Sequence, residues 1–237
     1  MTTFFRFPST PHLAWLSHNP APREDKFLSS SEALSLLSGE VEVEEKIDGA
    51  NIGISLSAGG KILVQNRGQY LTPAYSGQFG RLSEWLNFHE EILRDFLTSS
   101  LVLFGEWTAA RHSIGYDHLP DWLLFFDVYD RAAGRFWSSS RRNALASSVG
   151  LKVTPTLLRG RTDLVQLEKL LNSSSSRYRV GPMEGLIIRR EDSHWCECRA
   201  KLVHADFTQA IGEHWSRRRI EWNQVDWSGS IDESQFK

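Results

Sequence analysis

Residues 44–51 of this chain read Glu-Glu-Lys-Ile-Asp-Gly-Ala-Asn, and this stretch decides how the sequence is interpreted. Alternating apolar residues predict a strand over 41–46 that ends at Lys46. A lysine there projects into a cleft, while Gly49 lets the backbone turn close to a ligand. The lysine amine attacks only when neutral, so burial or a nearby cation must lower its pKa from about 10.4. Alone, the same residues equally describe a surface lysine followed by an Asp-Gly turn.

Periodicity on either side of this stretch predicts both helices and strands. The predicted helices cover 30–38, 79–97, 141–148, 163–171 and 207–222. The predicted strands cover 41–46, 52–56, 61–65, 101–104, 122–129, 152–158, 185–190 and 195–203. Strands outnumber helices and follow one another along the chain, so we expect an α+β fold of mainly antiparallel sheets flanked by helices.

The composition is that of an ordinary globular domain without a strong charge. The chain has 237 residues, of which 41% are hydrophobic and 24% charged, and its formal net charge is −2. No apolar run approaches the roughly 20 residues of a membrane helix or resembles a signal peptide, so we expect a cytoplasmic protein with no membrane partner. Binding of nucleic acid would depend on local clusters of arginine, because the net charge does not favour it.

Two further features fit ordinary structural roles as well as functional ones. Cys196 and Cys198 fall on one face of a predicted strand, so we interpret them as strand packing and not as a metal site, which usually needs four ligands. Residues 111–116 read Arg-His-Ser-Ile-Gly-Tyr and combine basic with aromatic side chains. This segment suits contact with RNA or polyphosphate, and it suits a loop with incidental charge equally well.

The order of several short motifs resembles the covalent nucleotidyltransferase superfamily of ATP-dependent ligases and capping enzymes, most closely its RNA ligase 2-like branch. Residues 45–51 have the RNA ligase form E-K-x-D-G-x-N, whereas DNA ligases usually carry Arg at the position of Asn51. The other motifs are N-R-G at 66–68, F-G-E-W at 104–107, F-F-D-V at 125–128, E-G-L-I at 184–187 and R-A-K at 199–201. Each motif is common alone, and only their joint order is specific.

The resemblance implies a nucleotidyltransferase (ATP-grasp-like) domain over residues 1–205 that uses ATP with Mg²⁺ or Mn²⁺. Lys46 would be the catalytic nucleophile. The implied ATP-binding residues are Glu45 for the adenine amino group, Phe126 for stacking on the base, Glu106 for the ribose, Arg67 for the sugar or the RNA end, Arg199 and Lys201 for the phosphates, and also Asn51 and Glu184. The cation would be held through its water shell by Asp48, Glu106 and Glu184.

Arg199 and Lys201 have a second expected role besides binding the phosphates. Arg199 stands where the family usually has lysine, and arginine keeps the charge but changes its geometry. Together with Lys201, it is expected to help lower the pKa of Lys46.

Without the resemblance, several of these residues equally fit ordinary structural roles. Phe126 lies in an apolar strand and is equally a core side chain. Glu184 equally belongs to a turn before Gly185, and Asp127 equally caps the end of a strand.

Residues 6–12 resemble the start of related bacterial ligases, and we expect them to line the site of a 5′-phosphate.

The implied activity is that of an ATP-dependent RNA ligase, which transfers AMP from lysine to an RNA 5′-phosphate and seals that end to a 3′-hydroxyl. Residues 206–237 are expected to form a short helical tail with no OB-fold, so a partner subunit or a dimer would complete RNA binding. The alternatives are a DNA ligase core, a capping-type guanylyltransferase and a non-catalytic RNA-binding module. Asn51 argues against the first, Glu45 against the second, and the complete set of charged motif residues against the third.

Overall fold

Nine strands form one sheet in the computed structural model, which describes residues 4–18, 20–21, 25–209 and 219–227. The strands are β1 (Val41–Lys46), β2 (Ala50–Leu56), β3 (Ile62–Gln65), β4 (Leu101–Trp107), β5 (Leu123–Asp130), β6 (Arg135–Trp137), β7 (Thr156–Gly160), β8 (Gly185–Glu191) and β9 (Trp195–Val203). They lie in the order β3-β2-β4-β5-β6-β9-β8-β1-β7, and all neighbours are antiparallel. The predicted antiparallel α+β fold is confirmed, as one continuous sheet.

The described part of the chain also contains five α-helices. They are α1 (Ser30–Leu37), α2 (Leu82–Phe96), α3 (Ser139–Ser148), α4 (Leu164–Ser173) and α5 (Ala205–Gln209). Side chains of Ser29, Ser138 and Asp163 cap α1, α3 and α4 by accepting backbone N–H groups that no helical carbonyl reaches. None of the helices in these described ranges is long and apolar enough to cross a membrane.

The sheet has two halves, and each half has its own hydrophobic core. Strands β2 to β5 pack with α2 and α3 around buried side chains such as Ile54 and Trp85. Strands β1, β8 and β9 pack with α1 and α4 around buried side chains such as Val43 and Leu186. The short strand β6 joins the halves by pairing with β5 on one side and β9 on the other.

The segment 47–49 connects the two halves. Strand β1 ends at Lys46 in one half, and β2 begins at Ala50 in the other. Gly49 passes so close to β4 that a Cβ atom there would lie 2.6 Å from the carbonyl oxygen of Trp107. Only glycine fits this crossing, because any side chain would collide with backbone that cannot move independently.

Two predicted elements differ from the observed ones, and one observed strand has no predicted counterpart. The strand predicted at 152–158 begins later, at β7, because residues 152–154 bond to the backbone of Phe125 instead. Strand β6 is not predicted, since three residues are too few to show a period. The helix predicted at 207–222 is wrong at its end: residues 221–226 bond to backbone groups of the loop 109–119, and 210–218 lie outside the described residues.

The domain boundary expected at residue 205 stays a prediction. It falls at the start of α5, the last helix before the segment that is left undescribed. Residues 228–237, the rest of the expected tail, also lie outside the described residues.

We predict that Gly185→Ala lowers the free energy of unfolding by about 1–3 kcal/mol. A Cβ atom at Gly185 would lie 2.5 Å from the carbonyl oxygen of Leu202, so two paired strands would have to separate. Gly39→Ala is the matched control, because a Cβ atom there meets nothing within 4 Å. Urea titration measures both variants, and equal stability of the two would contradict the prediction.

Candidate active site

Lys46 lies at the end of β1 with its amine among carboxylates. Its Nζ atom is 2.5 Å from Oε2 of Glu184, the residue that immediately precedes β8. Backbone pairing places Lys46 opposite Gly185 and places Asn51 opposite Glu106 on β4. One half of the sheet therefore supplies Lys46 and Glu184, and the other half supplies Glu106.

The charges of this cluster are not balanced. Burial raises the pKa of Glu106 to about 8 and also raises the pKa values of Glu184 and Asp48. Burial by itself would lower the pKa of Lys46, but Glu184, Glu106 and Asp48 together outweigh it and raise that pKa. One ammonium faces three carboxyl groups whose negative charge is costly to bury, so the site favours an additional cation that would stabilise their ionised forms.

The expected lowering of the Lys46 pKa is therefore wrong for the protein alone. Arg199 and Lys201 were to contribute to it, but each has an acidic partner of its own. The guanidinium of Arg199 pairs with Asp127, and Nζ of Lys201 lies 3.3 Å from Oδ1 of Asp25. Because these partners offset their charge, the carboxylates around Lys46 prevail.

All the residues predicted for catalysis and ATP binding line one cavity of about 400 Å³, the first cavity. They are Glu45, Lys46, Asn51, Arg67, Glu106, Phe126, Glu184, Arg199 and Lys201. A second cavity of about 700 Å³ shares Lys46, Asn51, Arg67 and Glu106 with the first and adds Asp48. Lys46 thus borders both cavities, and the individual roles of these residues stay predictions.

Several polar side chains of the first cavity, Glu45 and Asn51 among them, have buried atoms without a hydrogen-bond partner among the described residues. Oε2 of Glu45 accepts the backbone N–H of Arg177 at 2.9 Å, but the buried Oε1 is unpaired. Both side-chain polar atoms of Asn51 are also buried and unpaired. Unpaired buried polar atoms cost free energy, so these side chains fit a ligand that carries donors and acceptors, as an adenine nucleotide does.

The sequence did not predict a buried ion-pair network in the wall of the first cavity, where Glu44, Asp127 and Arg189 are lining residues. Asp127 is 1% exposed and pairs with Arg189 at 3.0 Å, so it is not a cap at a strand end. Glu44 pairs with Arg142 at 2.5 Å, with both side chains 1% exposed. Both arginines also donate to the carbonyl oxygen of Phe126, which fixes β5 beside the cavity. The sequence feature that could have predicted this network is the pair Glu42 and Glu44, two positions apart in β1, a strand that is buried in the structure.

The N-terminal part of the chain supplies a further ionic contact, through Asp25, which lies in none of the sequence motifs. Several residues of 6–12 line the first cavity, and His12 among them is 2% exposed. That this segment lines the site of a 5′-phosphate stays a prediction. Burial lowers the pKa of His12 to about 4, and its Nε2 lies 3.3 Å from Oδ2 of Asp25. Asp25 therefore contacts both His12 and Lys201, and it orients the lysine at the edge of the cavity.

The acidic residues do not form a direct metal-ligand set. Within the described ranges, no three His, Cys, Asp or Glu side chains converge closely enough to hold a metal ion. Oδ2 of Asp48 already accepts the backbone N–H groups of Ser113 and Ile114, at 2.7 and 2.8 Å. Asp48, Glu106 and Glu184 instead fit a cation bound through water, which suits Mg²⁺ because it gives up its water reluctantly.

The raised pKa of Glu106 predicts a loss of stability with rising pH. Glu106 keeps its proton up to about pH 8 in the folded protein, whereas its ordinary pKa is 4.5. Between these values the folded state binds more protons than the unfolded state, so the free energy of unfolding falls as pH rises. Glu106→Gln, which is neutral throughout, should flatten part of this fall in urea titrations across the range.

Glu84→Gln serves as the control for this prediction. Glu84 is an exposed glutamate on α2, outside both cavities. The Glu84→Gln variant should keep the slope of the unaltered protein. An unchanged slope in Glu106→Gln would show that this carboxyl is not held protonated.

The fold is similar to that of solved RNA ligases. The RNA ligase of Naegleria gruberi, solved with PPi, has a TM-score of 0.61 and 17% identity, over 88% of this chain and 64% of that chain. A point mutant of it, solved with ATP and Mn, has a TM-score of 0.56 and 17% identity, over 76% and 54% of the two chains. An archaeal ATP-dependent RNA ligase has a TM-score of 0.57 and 19% identity, over 85% and 49%. This chain thus spans about half to two thirds of their length.

The sequence places the chain in a family more directly than the fold does. No curated protein matches it. The sequence profile of the family described as RNA ligase matches residues 39–203, from just before β1 to the end of β9. This match covers more than half of the chain and contains every residue predicted for catalysis, ATP binding or the cation, from Glu45 to Lys201. The chain belongs to the RNA ligase family.

Proposed function

We propose that this chain is an ATP-dependent RNA ligase that works through a covalent lysyl-AMP at Lys46. The Nζ atom attacks the α-phosphorus of ATP, so that a P–N bond forms and the bond to the pyrophosphate oxygen breaks. AMP then passes to the 5′-phosphate of an RNA end, and a 3′-hydroxyl displaces it to form the phosphodiester. The observation that carries the proposal is the Lys46 amine at the shared border of two cavities, among carboxylates.

The first cavity would bind the nucleotide. Oε1 of Glu45, which is buried and unpaired, would accept the adenine amino group, and guanine offers a carbonyl oxygen at that position. Phe126 is partly exposed to the cavity and would stack on the base. Glu106 would bond to the ribose, and Arg67 to the sugar or the RNA end.

The phosphates would lie near Arg199 and Lys201. Both side chains line the first cavity and are paired with Asp127 and Asp25. These carboxylates hold the two cations in place before a nucleotide arrives, which limits the entropy lost when the triphosphate binds. In-line displacement at phosphorus depends mainly on such positioning and on neutralising charge.

Activation of Lys46 would follow from the same carboxylates that keep it protonated. A divalent cation, Mg²⁺ or Mn²⁺, supplies positive charge at the triphosphate and the leaving pyrophosphate. When Glu184, Glu106 and Asp48 direct their charge toward a hydrated cation, their hold on the lysine proton weakens. The amine then loses its proton more readily and becomes nucleophilic.

The solved relatives support ATP and a divalent cation as ligands, but they do not by themselves support the whole sealing reaction. ATP, Mn and PPi are present in structures of the Naegleria gruberi enzyme, and the archaeal relative is ATP-dependent. Because this chain covers 64% or less of those three chains, complete sealing of RNA is part of the proposal. A partner subunit or dimer that completes RNA binding, and a cytoplasmic location, stay predictions.

We predict that the protein incubated with α-labelled ATP and a divalent cation acquires label that survives denaturation with detergent. A phosphoramidate also resists alkali and is released by acid, which distinguishes it from a phosphate ester. Lys46→Ala should abolish the label, because it removes the amine that would form the phosphoramidate. Gel autoradiography after removal of bound AMP with pyrophosphate measures the result.

Lys61→Ala is the matched control, since Lys61 is exposed and lies outside both cavities. It should label like the unaltered protein. Label from GTP and not ATP would favour a capping-type guanylyltransferase, and sealing of nicked DNA in preference to RNA would favour a DNA ligase. No label from either nucleotide would leave an RNA-binding module and would refute the proposal.

We predict that Glu45→Ala raises the KM for ATP in the labelling reaction by about tenfold to hundredfold. A hydrogen bond to a charged group contributes about 1.5–3 kcal/mol, and each 1.4 kcal/mol is about tenfold. Glu40→Ala, an exposed glutamate just before β1, is the control and should leave the KM unchanged. An unchanged KM in Glu45→Ala would remove this residue from adenine recognition.

A further inference from the structure

Residues 219–227, here called the C-terminal strap, lie outside the range that the RNA ligase profile matches. The strap runs along the loop 108–119 and bonds to its backbone at both ends. The N–H of Arg111 donates to the carbonyl of Glu221 at 2.8 Å, and the N–H of Leu119 donates to the carbonyl of Gln224 at 3.0 Å. Further backbone hydrogen bonds and two isolated β-bridges, Ala110 with Trp222 and Leu119 with Val225, hold the strap along this loop.

Asn223 is the central contact between the strap and the loop. Its side chain is buried, with Nδ2 donating to the carbonyl of Thr108 at 2.7 Å and Oδ1 accepting the N–H of Tyr116 at 2.9 Å. Its backbone N–H donates to Ala109 at 2.9 Å. One asparagine thus holds both ends of the loop segment 108–116, because its amide offers a donor and an acceptor in opposite directions.

The same loop holds the residue two positions after Lys46. The hydroxyl of Tyr116 accepts the backbone N–H of Asp48 at 2.8 Å. In return, the N–H groups of Ser113 and Ile114 donate to the Asp48 carboxylate.

Apolar packing connects the strap to the residue next to Lys46 as well. Ile47 is buried in a small cluster with Ile114, Tyr116 and Leu119, and Val225 of the strap packs against that cluster. The loop therefore holds both residues after Lys46: Ile47 through apolar packing of its side chain, and Asp48 through three hydrogen bonds. The strap in turn fixes the loop.

We propose that the C-terminal strap is a positioning element for Lys46, acting from Asn223 through the loop 108–119 and the Tyr116 hydroxyl on the backbone of Asp48. The inference rests on the proposed function, since it concerns the alignment of the Lys46 amine with the α-phosphate. It also assigns segment 111–116, which the sequence left open between RNA contact and an ordinary loop, to the support of the lysine turn. Asn223 and Tyr116 are positioning residues and touch no reacting atom.

The test compares Tyr116→Phe, Asn223→Ala and the double variant in the 237-residue chain. Tyr116→Phe removes only the hydroxyl and keeps the ring in its cluster. We expect the rate constant of lysine labelling at saturating ATP to fall by about tenfold to hundredfold in each single variant, because small misplacements of a nucleophile have effects of this size. The KM for ATP should stay within about twofold, since the nucleotide contacts are unchanged.

The double variant separates positioning from general weakening of the fold. If the strap acts through Tyr116, the double variant should label about as slowly as the slower single variant, and the two effects should not multiply. Tyr129→Phe, the same change at the end of β5 outside both cavities, is the control and should label normally. Circular dichroism confirms that each variant is folded under the assay conditions.

The outcomes distinguish this inference from the proposed function. Failure of the unaltered protein to label would refute the lysyl-AMP proposal itself. Normal labelling of the unaltered protein together with normal rates in Tyr116→Phe and Asn223→Ala would refute the positioning role alone. Multiplying effects, or a rise in the KM for ATP in place of a lower rate constant, would also overturn it.

Discussion

The crossing of residues 47–49 between the two halves of the sheet is the constraint on which the site depends. Each half is stabilised by its own apolar core, and this short turn carries the chain from one to the other directly after Lys46. Gly49 has no room for a side chain under the carbonyl of Trp107, so the turn cannot slide. The distance between Lys46 and Glu106 is set by how the halves meet at this point.

The buried ion pairs fix how the two halves of the sheet are oriented at this crossing. Glu44 on β1 pairs with Arg142 on α3, and Asp127 on β5 pairs with Arg189 on β8, so each pair joins one half of the molecule to the other. Such pairs are weak evidence for stability, because loss of hydration offsets much of their attraction. Hydrogen-bonded charges are directional, however, whereas apolar contacts are not. They therefore suit the task of holding β5, with Phe126, against β1 at the edge of the first cavity.

The site itself has the opposite electrostatic character. The network in the cavity wall matches each arginine with an acid, whereas Lys46 faces three carboxyl groups whose pKa values are raised because burial makes their negative charge costly. Unpaired atoms of Glu45 and Asn51 add polar groups that nothing in the described protein satisfies. A protein interior tolerates such groups poorly. A ligand with positive charge and hydrogen-bonding edges relieves both deficits, and this is why the cavity suits a metal-bound nucleotide.

The sequence by itself determined the antiparallel α+β class, the strand that ends at Lys46, and the set of motif residues that line the first cavity. These follow from the periodicity of apolar residues, from the glycine at the turn and from the order of the motifs, all of which can be recognised in short stretches of sequence. The sequence could not determine the partners of Arg199 and Lys201, the raised pKa of Lys46, or the hold of Asn223 on the loop beside Asp48. Those depend on burial and on contacts between distant residues, such as Asp25 with Lys201. Only the tertiary structure decides them, because the strength of a charge or a hydrogen bond is set by what surrounds it in space.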